Sequence, residues 1–126
     1  MTPARGPIAP DAPGAWPKRA RLRVRSEFLL LQTRGRRFAG PLFALLVLPR
    51  ASGPARIGLT VSRKVGNAVV RNRVRRRLRE AFRRRWPSLP SVDLVCIVRS
   101  AAADASWDDL AREVDRLTGA LARKHA

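Results

Sequence analysis

Nine arginines lie between positions 71 and 85, at 71, 73, 75, 76, 77, 79, 83, 84 and 85, with one acid among them, Glu80. Forked guanidinium groups at this density suit one kind of chemistry, the gripping of phosphate through paired, charge-assisted hydrogen bonds. Arg71/Arg75, Arg75/Arg79, Arg79/Arg83 and Arg73/Arg77 are spaced four apart. On a helix each such like-charge pair costs roughly 0.2–0.5 kcal/mol. A solvated helix normally mixes signs to avoid that cost, so the pattern asks for an external polyanion.

Bond-breaking chemistry is poorly provided for. A nuclease acting alone needs grouped carboxylates for metal ions, or histidines for proton transfer. The only histidine, His125, is next to the last residue and has no evident partner to tune it. Asp104, Asp108, Asp109, Glu113 and Asp115 form the only acid cluster. They open a predicted helix, whose positive end accounts for them without a metal. Cys96 reads as a small buried hydrophobe in a strand. The sequence thus predicts no catalytic residue, metal site or bound cofactor in the protein itself.

The phosphate-gripping groups need a scaffold. A chain of 126 residues with 45% hydrophobic content makes one globular domain. The net charge of +18 points to nucleic acid. That charge is segregated: residues 1–86 carry 22 lysines and arginines against 3 acids, residues 87–126 carry 5 against 6. Segregation favours a binding surface over a general solubility device. The longest apolar run, Pro41 to Pro49, is too short to span a membrane. A single cysteine rules out an internal disulfide and fits a reducing cytoplasm.

Residues 1–17, rich in Pro, Gly and Ala, read as a disordered leader to a domain over 18–126. Residues 18–25 alternate basic and apolar and suit a basic arm or a strand. Ser26 is a candidate cap for a short helix to Thr33, with Gly35 just beyond its end. Arg36–Ala39 and Pro41–Leu48 read as strands. Arg56–Ser62 is a third, with Ile57, Leu59 and Val61 on one face and Gly58, Thr60 and Ser62 on the other. Asn67 is a good N-cap for the arginine helix, and Pro87 stops it. Val70, Val74, Leu78, Ala81 and Phe82 form its apolar stripe. Arg71, Arg77 and Arg85 flank the stripe closely and are expected to extend their heads to water. Val92–Arg99 is a fourth strand. Ser106 and Asp109 form a capping box for a last helix, whose core stripe is Leu110, Val114, Leu117 and Leu121. The order α-β-β-β-α-β-α predicts an α+β fold, a two-layer α-β sandwich with four strands.

Residues 61–82, with Arg71-Asn72-Arg73 at their centre, resemble the signature of the bacterial ribonuclease P protein subunit. The similarity extends to Phe28, to Gly35-Arg36-Arg37-Phe38, to Arg56-Ile57-Gly58-Leu59, and past Asp93 to Arg99. The resemblance implies the same element order, with a left-handed crossover through the arginine helix. It implies a holoenzyme with a catalytic RNA that removes the 5′ leader of precursor tRNA. Chemistry there belongs to Mg2+ ions held by the RNA. Its implied partners are that RNA and precursor tRNA, with no DNA and no membrane.

The resemblance assigns Arg63, Lys64, Arg71, Asn72, Arg73, Arg75, Arg76 and Arg79 to the catalytic RNA, mainly as phosphate and shape contacts. It assigns Arg25, Phe28, Thr60, Ser62 and Arg99 to the tRNA leader, in a cleft between the first helix and the sheet. Spacing alone leaves Phe28 open between core packing and a base-stacking platform; the resemblance favours the platform. Gln32 and Leu46 stand where many members carry aromatics, and the chain has no tyrosine. The cleft is therefore expected to stack fewer bases and to rely more on charge. Two other classes share the composition: a ribosomal or ribosome-assembly protein, and an independent nuclease.

Overall fold

Asn67 turns the chain into its most basic element. Its backbone is extended, and its side-chain oxygen accepts a hydrogen bond from the Val70 N–H at 3.0 Å, as expected for an N-cap. The helix runs Ala68–Arg85 and yields to a short 3-10 turn, Trp86–Ser88, containing Pro87. Its buried face is Val74, Leu78, Ala81 and Phe82, the expected stripe, with Val70 partly buried beside it. Replacing Asn67 with alanine strands one first-turn donor and should lower stability by about 1 kcal/mol in urea unfolding. An unmoved midpoint would show that water satisfies that donor equally well.

The structure, a computed structural model, describes residues 25–125, with side-chain surroundings for residues 29–124. The leader expected over residues 1–17 and the basic arm up to residue 24 lie outside the described residues, as do the side chains of Arg25, Phe28 and His125. The elements are α1 (Arg25–Arg34), β1 (Arg36–Ala39), β2 (Phe43–Pro49), β3 (Arg56–Thr60), α2 (Ala68–Arg85), β4 (Val92–Val98) and α3 (Trp107–His125). This is the expected α-β-β-β-α-β-α order. The strands form one sheet in the order β1-β2-β4-β3. β2 is antiparallel to both β1 and β4, while β3 runs parallel to β4. A parallel pair needs a crossover connection, and α2 is that crossover.

The period-two alternation of the strands divides the apolar residues between the two faces of the sheet. On one face Phe43, Leu45 and Val47 of β2 and Leu94, Cys96 and Val98 of β4 join Ile57 of β3. Against them pack Leu78 and Phe82 of α2 and Leu110, Val114, Leu117 and Leu121 of α3. The Phe43 and Phe82 rings meet at 6.2 Å and 56°. On the other face α1 adds a small patch, with Leu31 on Leu46 and Val95. Burial pushes the Cys96 thiol well above its ordinary pKa, in keeping with a core residue.

One local expectation shifts. Arg25 is already helical, so Ser26 lies inside α1 and does not cap it. Gly35 does follow the helix end: its N–H donates to the Leu31 carbonyl at 2.8 Å, and a Cβ there would stand 2.3 Å from that oxygen. Close approach is what requires glycine here, since positive φ among the described glycines occurs at Gly53 and Gly66. Leu29 and Leu30 of α1 are about half exposed, consistent with a helix more apolar than its one packed face needs. The Ser106–Asp109 capping box of α3 forms in both directions, at 3.0 and 3.3 Å.

Candidate nucleic-acid interface

Beyond β3 the chain turns tightly. The Val65 N–H donates to the Ser62 carbonyl at 3.1 Å, and the Gly66 N–H to the Arg63 carbonyl at 3.2 Å. Gly66 adopts φ 156°, and a Cβ there would lie 2.9 Å from Val70 side-chain carbons. Only glycine brings the turn this close to α2. The turn leaves Arg63 and Lys64 exposed beside the N-terminal end of α2.

Apart from Arg84, which is exposed near the C-terminal end, the arginines of α2 fall into three groups. Arg83 pairs with Glu80 one turn back, and Arg85 pairs with Asp115 of α3 at 2.6 Å. The Arg85 hydrogen bond holds the Asp115 carboxyl below its usual range. Arg71, Arg73 and Arg77 turn to backbone oxygens: Arg71 to the Gly66 carbonyl at 3.2 Å, Arg73 to Ala103 at 3.2 Å and Arg77 to Ala105 at 3.0 Å. The heads of Arg71 and Arg77, expected to reach water, instead land on backbone oxygens, whereas Arg85 stays exposed, as expected, and pairs with Asp115 at the surface. Carbonyls cancel no charge, so the face stays strongly positive.

The third group, Asn72, Arg75, Arg76 and Arg79, surrounds a shallow depression of about 500 Å³ with Val69 at its lip. Asn72 accepts from Arg75 at 3.1 Å, which fixes one guanidinium edge-on. Arg76 and Arg79 are exposed. Three arginines and one amide thus line the same depression. Guanidinium groups so placed have the chemistry to hold phosphate oxygens.

The eight residues expected to meet RNA therefore divide. Asn72, Arg75, Arg76 and Arg79 line the depression, with Arg75 half-buried, and Arg63 and Lys64 are exposed in the turn before α2. Arg71 and Arg73 are half-buried and hydrogen-bonded within the protein.

The expected leader residues gather elsewhere, at the far end of the parallel strand pair. Thr60 is paired with Ile97, and Ile97 lies in the patch beneath α1, so Thr60 shares that face. Ser62 and Arg99 lie just past the ends of β3 and β4 and are exposed. The side chains of Arg25 and Phe28 are outside the described residues. Gly58, paired with Val95, lies on the same face and is buried. At the other end of the same strands, Asp93 accepts two hydrogen bonds from Arg56, at 2.8 and 2.7 Å.

The acid cluster also separates. Asp109 caps α3, Asp115 holds Arg85, and Glu113 is buried at 5% exposure. One Glu113 oxygen accepts from the backbone N–H groups of Leu42 and Phe43, both at 2.9 Å, pinning the β1–β2 turn to α3. A signal for this was present: Glu113 interrupts the Leu110–Leu117 core stripe, where an acid needs a buried partner. Among the described residues no three or more His, Cys, Asp or Glu are grouped to hold a metal ion. No helix among them is long and apolar enough to cross a membrane.

The fold and this surface define a small α+β protein built to carry a cationic helix. The ribonuclease P family model matches residues 16–122. A ribonuclease P protein component from Gluconacetobacter diazotrophicus is 50% identical over 99 residues, covering 76% of this chain and 85% of the relative. The structure of a Staphylococcus aureus RNase P protein mutant with defective mRNA degradation activity is similar at TM-score 0.78 and 26% identity. That match covers 82% of this chain and 89% of the other. The RNase P protein from Thermotoga maritima is similar at TM-score 0.67 and 29% identity, covering 82% and 96%. The chain belongs to the bacterial ribonuclease P protein family.

Proposed function

We infer that this chain is the protein subunit of ribonuclease P, acting with a catalytic RNA to remove the 5′ leader of precursor tRNA. The single observation that carries the reading is the open α2 surface, where Arg75, Arg76 and Arg79 converge within a chain of this family. The catalytic RNA lies along the face that carries Arg63, Lys64, Arg71, Asn72, Arg73, Arg75, Arg76 and Arg79, with the outward guanidiniums of Arg75, Arg76 and Arg79 meeting phosphate. The tRNA leader passes over the sheet face bearing Thr60, Ser62 and Arg99, with Phe28 as a stacking platform and Arg25 on its backbone. Working as an RNA-held complex on tRNA places the protein in the cytoplasm.

The protein's own contribution is binding. Mg2+ held by the RNA would supply the activated water and stabilise the departing oxygen. No step of hydrolysis runs through a side chain of this protein. Its arginines neutralise phosphate repulsion between the two RNAs, which lowers the magnesium that substrate binding needs.

Reconstitution tests the reading. Protein alone should leave precursor tRNA intact. With the catalytic RNA it should give one cut at the mature 5′ end, at lower magnesium than the RNA alone requires. Cleavage by the protein alone would establish an independent nuclease. Failure to assist this RNA, with tight binding to ribosomal RNA, would establish a ribosomal role.

A further inference from the structure

Arg73 sits at the centre of the basic motif, yet its guanidinium faces inward. Its Nη2 donates to the Ala103 carbonyl, and its Nε is shut off from solvent with no protein acceptor. One turn later on the same face, Arg77 donates to the Ala105 carbonyl. Ala103 and Ala105 lie at the C-terminal end of a short 3-10 segment, Ser100–Asp104, that links β4 to α3. Carbonyls at such an end have lost their own helix partners and carry the negative end of the segment's dipole. Two guanidiniums four residues apart on α2 therefore cap one 3-10 end. This also gives the Arg73/Arg77 like-charge pair a local reason.

The same 3-10 segment reaches the exposed turn after β3. Ser100, its first residue, donates its hydroxyl to the Lys64 carbonyl at 3.2 Å. A continuous path thus runs from Arg73 through Ala103 and Ser100 to the backbone that presents Arg63 and Lys64. We propose that Arg73 is a positioning residue and not a phosphate ligand: with Arg77 it braces the 3-10 segment, which holds the Arg63–Lys64 turn at the angle the RNA meets. This rests on the RNA-binding reading of α2 and divides labour within that face. Arg75, Arg76 and Arg79 touch phosphate; Arg73 and Arg77 aim the neighbouring turn.

The experiment is binding of the full-length protein to the catalytic RNA of the same organism, measured across a salt series. Tight, salt-dependent binding by the unaltered chain tests the RNA-binding reading itself. Arg76→Ala should lower the slope of log affinity against log salt by roughly one unit, as one phosphate contact is lost. Arg73→Ala should weaken binding roughly three- to tenfold with the slope unchanged. That loss should vanish in a Lys64→Ala background, because the turn then has less to present, and Arg73→Lys should restore most of it. A slope reduced by about one unit in Arg73→Ala, additive with Lys64→Ala, would overturn the proposal and make Arg73 a direct ligand. If Arg73→Ala does not fold, Ser100→Ala carries the test, since it cuts the last contact and leaves both arginines. It should cost roughly two- to threefold with the slope intact; parental affinity would overturn the proposal.

Discussion

Replacing Arg75, Arg76 and Arg79 together with alanine should weaken binding to the catalytic RNA by roughly two to three orders of magnitude near 0.1 M salt. The salt slope should fall by roughly two to three units, because each lost phosphate contact removes about one counterion from the release term. The three line one depression and carry none of the core stripe, so the fold should survive. Circular dichroism should be unchanged. Thermal stability should change little, since loss of the like-charge pairs Arg71/Arg75, Arg75/Arg79 and Arg79/Arg83 offsets loss of the Arg75–Asn72 hydrogen bond and of the other contacts these side chains make. Added magnesium should recover cleavage in part, because a divalent cation replaces the screening but not the positioning. Parental affinity with an unchanged slope would place the RNA on another surface.

The second large effect is one of stability. Glu113→Ala should cost about 2–4 kcal/mol, because it leaves the N–H groups of Leu42 and Phe43 without their acceptor in a buried site. Both bonds are 2.9 Å to a single oxygen, and Gly40 beside it leaves no room for rearrangement: a Cβ there would lie 2.5 Å from that oxygen. Glu113→Gln keeps a carbonyl acceptor but loses the charge-assisted strength, so its cost should be smaller. Urea unfolding separates the three proteins. A Glu113→Ala midpoint matching the parent would mean that the β1–β2 turn is held by its strand pairing alone.

Local patterns were readable from the residues. The α2 stripe, the Asn67 cap, the α3 capping box and the β3 alternation each depend on neighbours within a few positions, and all are present in the structure. What escaped depends on distant partners. Glu113 looked like one more acid at a helix start; its acceptor role depends on a turn some 70 residues away in the chain. Arg73 reads as an RNA contact, and Arg77 as a neighbour of the apolar stripe with its head in water. Their turn inward requires the 3-10 segment before α3, whose polyalanine sequence carries little periodic signal. Ser26 lies inside α1 because Arg25 is already helical, a choice its own type does not reveal. On the site, the split into open and inward-facing arginines needed the structure, whereas the cationic purpose of the helix did not.

The strand order has a consequence for how the protein is made. β3 is held to the rest of the sheet through β4 alone, and β4 follows α2 in the chain. During synthesis, then, the β1–β2 hairpin can close early, but β3 and the arginine crossover have no floor to settle on until Val92 and the residues after it leave the ribosome. Until that moment a dense run of cations is tethered within reach of ribosomal and messenger RNA. Chains cut short before Val92 should accordingly be captured by bulk RNA and degraded, and not accumulate as partly folded domains.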